Sequence, residues 1–385
     1  MKIVRISVYI GMIVAVLVLF AYAVGTGMSY PELHAHIKYR TESQFEDTRF
    51  SPMLRQGHFE YLRATNRGHF NQVTFLTDGR MMIDNLEPHY FTYERADGII
   101  RLANHVSAGN AEFLYVRLPS KLQDNSQLPR AFSDNTSIES GDMLLNLISA
   151  GGINTLDLRE IMYLENMDLS PAFFEMDIHI TAETALWMTN EIFTYISGER
   201  NIEIDTSMWD FDNFDEITFH QAFQGNEISY VHGYHVFEDI TVMFPTHQTN
   251  FEKRDRFSNV LRTGNFTDVF MPRVMHDTVE TFHFLDMSLQ EIPFTRITNE
   301  NAGNNKNVLL IAESNGLLLS TFKALGFERF DFLYLVTGYT HNIIWNAINE
   351  GNYDIVIFAV SDAVVAFDSA ELFEYDRLFL GYPPQ

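Results

Sequence analysis

Two short segments of the 385-residue chain hold residue types whose spacing could do acyl chemistry. The first, FFEMDIHIT, places Asp177 and His179 two positions apart just ahead of a predicted helix. In an extended segment residues i and i+2 point to the same side. The Asp177 carboxylate could then accept Nδ1–H from the His179 imidazole and leave Nε2 free as a base. The second, NVLLIAESNG, sets Ser314 between a buried strand and a glycine-containing helix start. A serine at such a turn has its hydroxyl at the carboxyl edge of the sheet, beside free backbone N–H donors. Ser314, His179 and Asp177 would supply nucleophile, base and orienting acid for acyl transfer. Each piece has a bland counterpart: D-x-H arises by chance, and a serine after a strand is commonly a helix N-cap. Residues at a sheet edge are also expected to contribute little to the core.

The elements that must position these residues follow a βα rhythm. Apolar runs at Glu112–Leu118, Ile153–Leu158, Asn307–Ala312, Phe330–Val336 and Asp354–Val360 alternate with helical patterns near Gly98–Ser107, Ser140–Ala150, Ala182–Ile196, Leu317–Leu325 and His341–Glu350. Runs apolar nearly throughout are what strands covered on both faces require. The pattern predicts a mostly parallel sheet flanked by helices. Residues 198–306 break the rhythm with aromatic-rich, Asn- and Asp-punctuated segments such as EITFHQAF and YHVFEDITVMF. These predict loops and antiparallel strands inserted into the α/β core.

At the N-terminus, residues 6–25 form a nearly continuous apolar run after Lys2 and Arg5. The run is long enough to cross a bilayer, and the preceding positive charge keeps residues 1–5 in the cytoplasm. A transmembrane signal anchor with the rest of the chain translocated is the expectation. A cleaved signal peptide, with Ala21 and Ala23 as an A-x-A-like site, is the rival. Residues 26–57 read as a polar juxtamembrane spacer and 58–385 as the folded domain.

A formal net charge of -25 argues against a nucleic-acid partner, which needs clustered Lys and Arg. Cysteine is absent, which excludes disulfides, a thiolate nucleophile and Cys-zinc sites. His34 with His36, and His232 with His235, have ligand-like spacing but no evident third ligand. The acidic run Met208–Glu216 lacks the glycine and regular spacing of a Ca²⁺ loop. No metal or cofactor is assigned.

From about Gly57 onward the order of blocks resembles the DHHW family of bacterial exported proteins. More distantly, it is similar to the SGNH-hydrolase-like, AlgJ/AlgX-like alginate O-acetylation proteins. The blocks are VRLPSK (116–121), Leu128-Pro129, INTLDL (153–158), DIHIT (177–181), FQGNEI around Gly225, FEDITVMFP, LLIAESN with Ser314, and DIVIF (354–358). Ile180 stands where the family has Trp, Glu313 where it has Asp, and TAET where it has T-P-x-G. The resemblance implies a three-layer α/β/α SGNH-hydrolase-like domain. It makes Ser314, His179 and Asp177 the catalytic set, with D-x-H ahead of the serine rather than after it. It also implies O-acetyl transfer to, or removal from, a cell-surface polysaccharide, with a membrane-bound acyl-donor protein as a further partner; the alternative is an inactive glycan-binding or scaffolding subunit. Asn315 and Gly316, in the serine turn, and Gly338, after the next strand, are the oxyanion candidates beside Ser314 N–H.

Overall fold

The computed structural model describes residues 69–362, apart from 71–72, 78–79, 84–91, 124, 129–136, 169–170, 201, 226–236, 277–280, 290–292 and 336–339. The described residues all belong to one compact unit, 61–231 with 235–385. The apolar run 6–25, the spacer and the four spaced histidines lie outside the described residues. Among the described residues no helix is long and apolar enough to cross a membrane.

Three short strands open the chain: β1 (His69–Phe70), β2 (Val73–Phe75) and β3 (Met81–Ile83), paired antiparallel. Helix α1 (Thr92–Ala108), strand β4 (Glu112–Leu118), helix α2 (Ser137–Ala150), strand β5 (Asn154–Asp157) and helix α3 (Leu158–Leu164) follow, then helix α4 (Ala182–Glu199). The inserted region holds β6 (Phe214–Phe223), β7 (Glu238–Pro245), β8 (Phe251–Asp255), β9 (Val260–Gly264), helices α5 (Phe266–Phe270) and α6 (Pro272–His276), and β10 (Phe294–Asn299). The chain then runs through β11 (Asn304–Ala312), α7 (Asn315–Lys323), β12 (Phe327–Tyr334), α8 (Thr340–Gly351) and β13 (Ile355–Ser361).

The main sheet has eight strands in the order β5-β4-β13-β11-β12-β10-β8-β9. The five apolar strands foreseen from the sequence form its parallel part. Their side chains alternate between two cores, as the period of two demands. Leu114, Val116, Val308, Leu310, Ile355 and Ile357 face α4 and α7. Phe113, Tyr115, Leu309, Ile311, Val356 and Phe358 face α1, α2 and α8. The expected helix–sheet–helix layering follows from that double burial.

The insertion departs from the expectation in one respect. Only β6 and β7 form a separate two-stranded sheet, whereas β8, β9 and β10 extend the main sheet antiparallel. The edge of β12 is thereby covered by β10 rather than left as an open ladder, which an apolar strand requires.

Candidate active site

The Asp177–His179 segment is a tight turn, not the extended strand expected. Phe173 and Ile180 form an isolated antiparallel bridge, and Phe174 N–H donates to His179 O at 3.2 Å. Within the turn Asp177 Oδ1 accepts the His179 backbone N–H at 3.0 Å and also contacts His179 Nδ1. An aspartate carboxylate that bonds the backbone two residues on makes an Asx-type turn, which brings i and i+2 together without a strand. The pairing read from the spacing is therefore correct, and its cause is different.

Both side chains are deeply buried, Asp177 at 0% and His179 at 5% exposure. That corrects the expectation of an edge site with little share in the core. Phe284 stacks on the His179 ring, 3.8 Å between centroids and 9° from parallel. With Nδ1 held by Asp177, Nε2 is the remaining ring nitrogen; it is buried and, among the described residues, makes no hydrogen bond.

Ser314 follows β11 and precedes α7 as expected, but its side chain caps nothing. Its hydroxyl donates to Glu313 Oε2 at 3.0 Å, and it is half-buried between fully buried neighbours. Ser314 and His179 are thus not hydrogen-bonded to each other, a looseness common in unliganded sites. What joins their segments is Asn315, whose Oδ1 accepts the Ile180 backbone N–H at 3.1 Å. Asn315 Nδ2 in turn donates to Glu313 Oε1 at 3.1 Å.

The oxyanion candidates of the serine turn are engaged within it. Asn315 N–H donates to Glu313 Oε2 at 2.9 Å, and Gly316 N–H donates to Glu313 O at 2.9 Å. Gly316 serves packing: a Cβ there would lie 2.4 Å from the Ala312 Cβ. Gly338 lies outside the described residues.

Beside this edge, Arg117 at the end of β4 makes a two-bond fork to Asp362, both at 2.8 Å, and further contacts to Asp142 and Asp157. Burial pushes the Asp362 carboxyl up to about 6 against the opposing pull of Arg117. This pair spans 245 residues and gave no local signal in the sequence. Among the described residues no group of three or more His, Asp or Glu could hold a metal ion.

No family model and no curated protein matches the chain. Solved structures do. Bacillus cereus PatB1 with a sulfonyl adduct aligns at TM-score 0.63 and 17% identity, over 77% of this chain and 98% of that one. A DHHW family protein from Eubacterium siraeum aligns at TM-score 0.58 and 13% identity, over 80% and 96%. The O-acetyltransferase domain of Pseudomonas putida AlgJ overlaps at TM-score 0.48 and 9% identity, over 78% and 94%. The chain thus has the fold of PatB1 and of the DHHW family protein, the architecture that its ordered motifs imply.

Proposed function

We propose that this chain is a membrane-anchored, extracytoplasmic serine acyltransferase or esterase that moves O-acetyl groups onto or off a cell-surface glycan. The observation that carries the reading is the state of His179. Asp177 holds Nδ1, Nε2 is buried with no partner among the described residues, and the turn is tied through Asn315 to the turn bearing Ser314. A buried polar atom without a partner is costly, and a catalytic role is one of the few reasons to retain it.

In the reaction, Ser314 exchanges its bond to Glu313 for one to His179 Nε2, which takes the hydroxyl proton as Oγ attacks the acetyl carbonyl. Ser314 N–H faces the developing oxyanion. His179 returns the proton to the departing alcohol, leaving an acetyl-serine. A glycan hydroxyl or water then attacks that ester, giving its proton to the same imidazole; the Oγ–acetyl bond breaks and His179 returns the proton to Ser314 Oγ.

Two things support the reading. The PatB1 structure of the same fold carries a sulfonyl adduct, the product a sulfonyl fluoride leaves on an activated nucleophile. The family resemblance of the motifs supports acetyl as the group, a glycan as acceptor and a membrane-bound acyl donor. The test is exposure of wild type and Ser314→Ala to a sulfonyl fluoride and to a chromogenic acetyl ester. Wild type should gain one sulfonyl group on Ser314 and turn the ester over; equal behaviour of the two proteins would remove the enzyme reading.

The second reading is a non-catalytic glycan-binding subunit. It is favoured by the Ser314 hydroxyl donating to Glu313 rather than to His179. The anchor is tested separately: residues 6–25 should keep the protein in the membrane fraction through alkaline extraction. A soluble form beginning near Val24 would identify a cleaved signal peptide instead.

A further inference from the structure

Three motif blocks far apart in sequence converge on Glu175 and Met176, the two residues that lead into Asp177. From β7, the Glu238 carboxylate accepts the Glu175 N–H at 2.5 Å and the Met176 N–H at 2.6 Å. After β4, Lys121 is 3% exposed and donates through Nζ to the Glu175 carbonyl at 3.1 Å and the Met81 carbonyl at 2.5 Å. After β6, Gly225 lies so close that a Cβ would sit 1.9 Å from the Met176 carbonyl oxygen. One peptide is held by a carboxylate on its N–H and an ammonium on its C=O. The preceding peptide donates its N–H to the same carboxylate.

The hairpin that supplies Glu238 also sets the ring over His179. The Phe282 N–H donates to Ala222 O at 2.7 Å and Gln224 N–H donates to Phe282 O at 3.1 Å, which fixes the segment carrying Phe284. Phe223 stacks on Phe174 at 4.1 Å.

We propose that Glu238 is a positioning residue for the Asp177–His179 pair, acting in its ionised form as the acceptor for both entering amides, so that its protonation disarms the base. The inference rests on the acyl-transfer reading above. A carboxylate can accept both N–H groups; a carboxylic acid offers one oxygen as a donor and weakens the grip. The charged groups that face Glu238 are Lys121 after β4 and Glu175 on the gripped turn, and Asp239 beside it pairs with exposed His220. Burial raises the Glu238 carboxyl to about 7, while the two amides and Lys121 pull it back. The grip therefore loosens as pH falls through neutrality.

The experiment follows sulfonyl-fluoride labelling of Ser314 against pH in wild type and Glu238→Gln. It is read beside the far-downfield proton resonance of the His179–Asp177 hydrogen bond. In wild type the labelling rate should fall as pH drops through about 7, where Glu238 takes up its proton. Glu238→Gln should label about 10- to 100-fold more slowly near neutral pH, as expected for a misplaced base. Its rate should lack the fall that tracks Glu238, and the downfield resonance should broaden. An unchanged rate and resonance in Glu238→Gln would overturn the proposal. If that variant fails to fold, the wild-type resonance decides alone: it should broaden as pH falls through about 7, and a resonance unchanged across that range overturns the proposal. Failure of the acyl-transfer reading looks different: Ser314 is then unlabelled at every pH, and loss or retention of the resonance in Glu238→Gln still decides the positioning claim.

Discussion

The backbone N–H of Ile180 donates to the side-chain oxygen of Asn315 at 3.1 Å, joining two turns whose residues are 135 positions apart in sequence. One turn carries His179 and the other Ser314, so this bond sets where base and nucleophile stand relative to each other. Asn315 is held in turn by Glu313, through both its amide N–H and its side-chain amide.

Replacing Asn315 with Ala should leave the Ile180 N–H buried without an acceptor. The expected loss of stability is about 1–3 kcal/mol. Labelling of Ser314 should slow beyond what that loss explains, because the two turns are no longer in register. Urea denaturation and a labelling time course on the same preparation check both effects. A variant with normal labelling would show that Asn315 serves folding alone.

Removal of Ser314 or of His179 should each abolish ester turnover, and removing both should cost little more than either, since the residues act as one unit. Asp177→Asn should leave a measurable remainder, because the histidine stays near the serine in the wrong tautomer. Unlike Ser314→Ala, the Asp177 variant should also lower stability, given its complete burial and its two bonds to His179. Kinetics and thermal melts of the four variants test the pattern; equal loss in all single variants would contradict the role given to Asp177.

Gly225→Ala places a Cβ against the Met176 carbonyl, a backbone atom that cannot swing away. The turn before Asp177 must shift, at a cost of about 1–3 kcal/mol. Turnover should suffer more than binding, so kcat should fall while KM stays near the wild-type value. A wild-type kcat in a folded Gly225→Ala protein would mean that the turn tolerates displacement.

Lys323, on the serine helix, is completely buried, its ammonium makes no hydrogen bond among the described residues, and the Phe193 ring lies 5.9 Å away. Burial lowers its pKa to about 7. The unfolded chain, with the ordinary value, binds more protons between about pH 7 and 10, so stability rises with pH across that window. Lys323→Met should stabilise the protein by roughly 2–4 kcal/mol near pH 7 and by much less near pH 10. Denaturant titrations at both pH values measure it, and a gap that does not close with pH would refute the assignment to Lys323.

The sequence alone determined the layered core and named the candidate site residues. Strand β13 and the Val308–Ala312 part of β11 were legible because burial on both faces leaves almost no polar position, and that pattern is local. The pairing of Asp177 with His179 was legible because side chains two residues apart can meet in either an extended segment or a turn. Ser314 was legible because a strand-to-helix turn is written in consecutive residues. Only the tertiary structure decided the rest. Nothing near Glu238 in sequence says that its carboxylate ends on the amides of Glu175 and Met176, and nothing near Arg117 names Asp362 as its partner. Nor could the spacing show that the Asx-type turn, rather than a strand, pairs Asp177 with His179. Hydrogen bonds and ring contacts of this kind depend on which elements the packed sheet brings side by side. That depends on strand order, which no single segment contains.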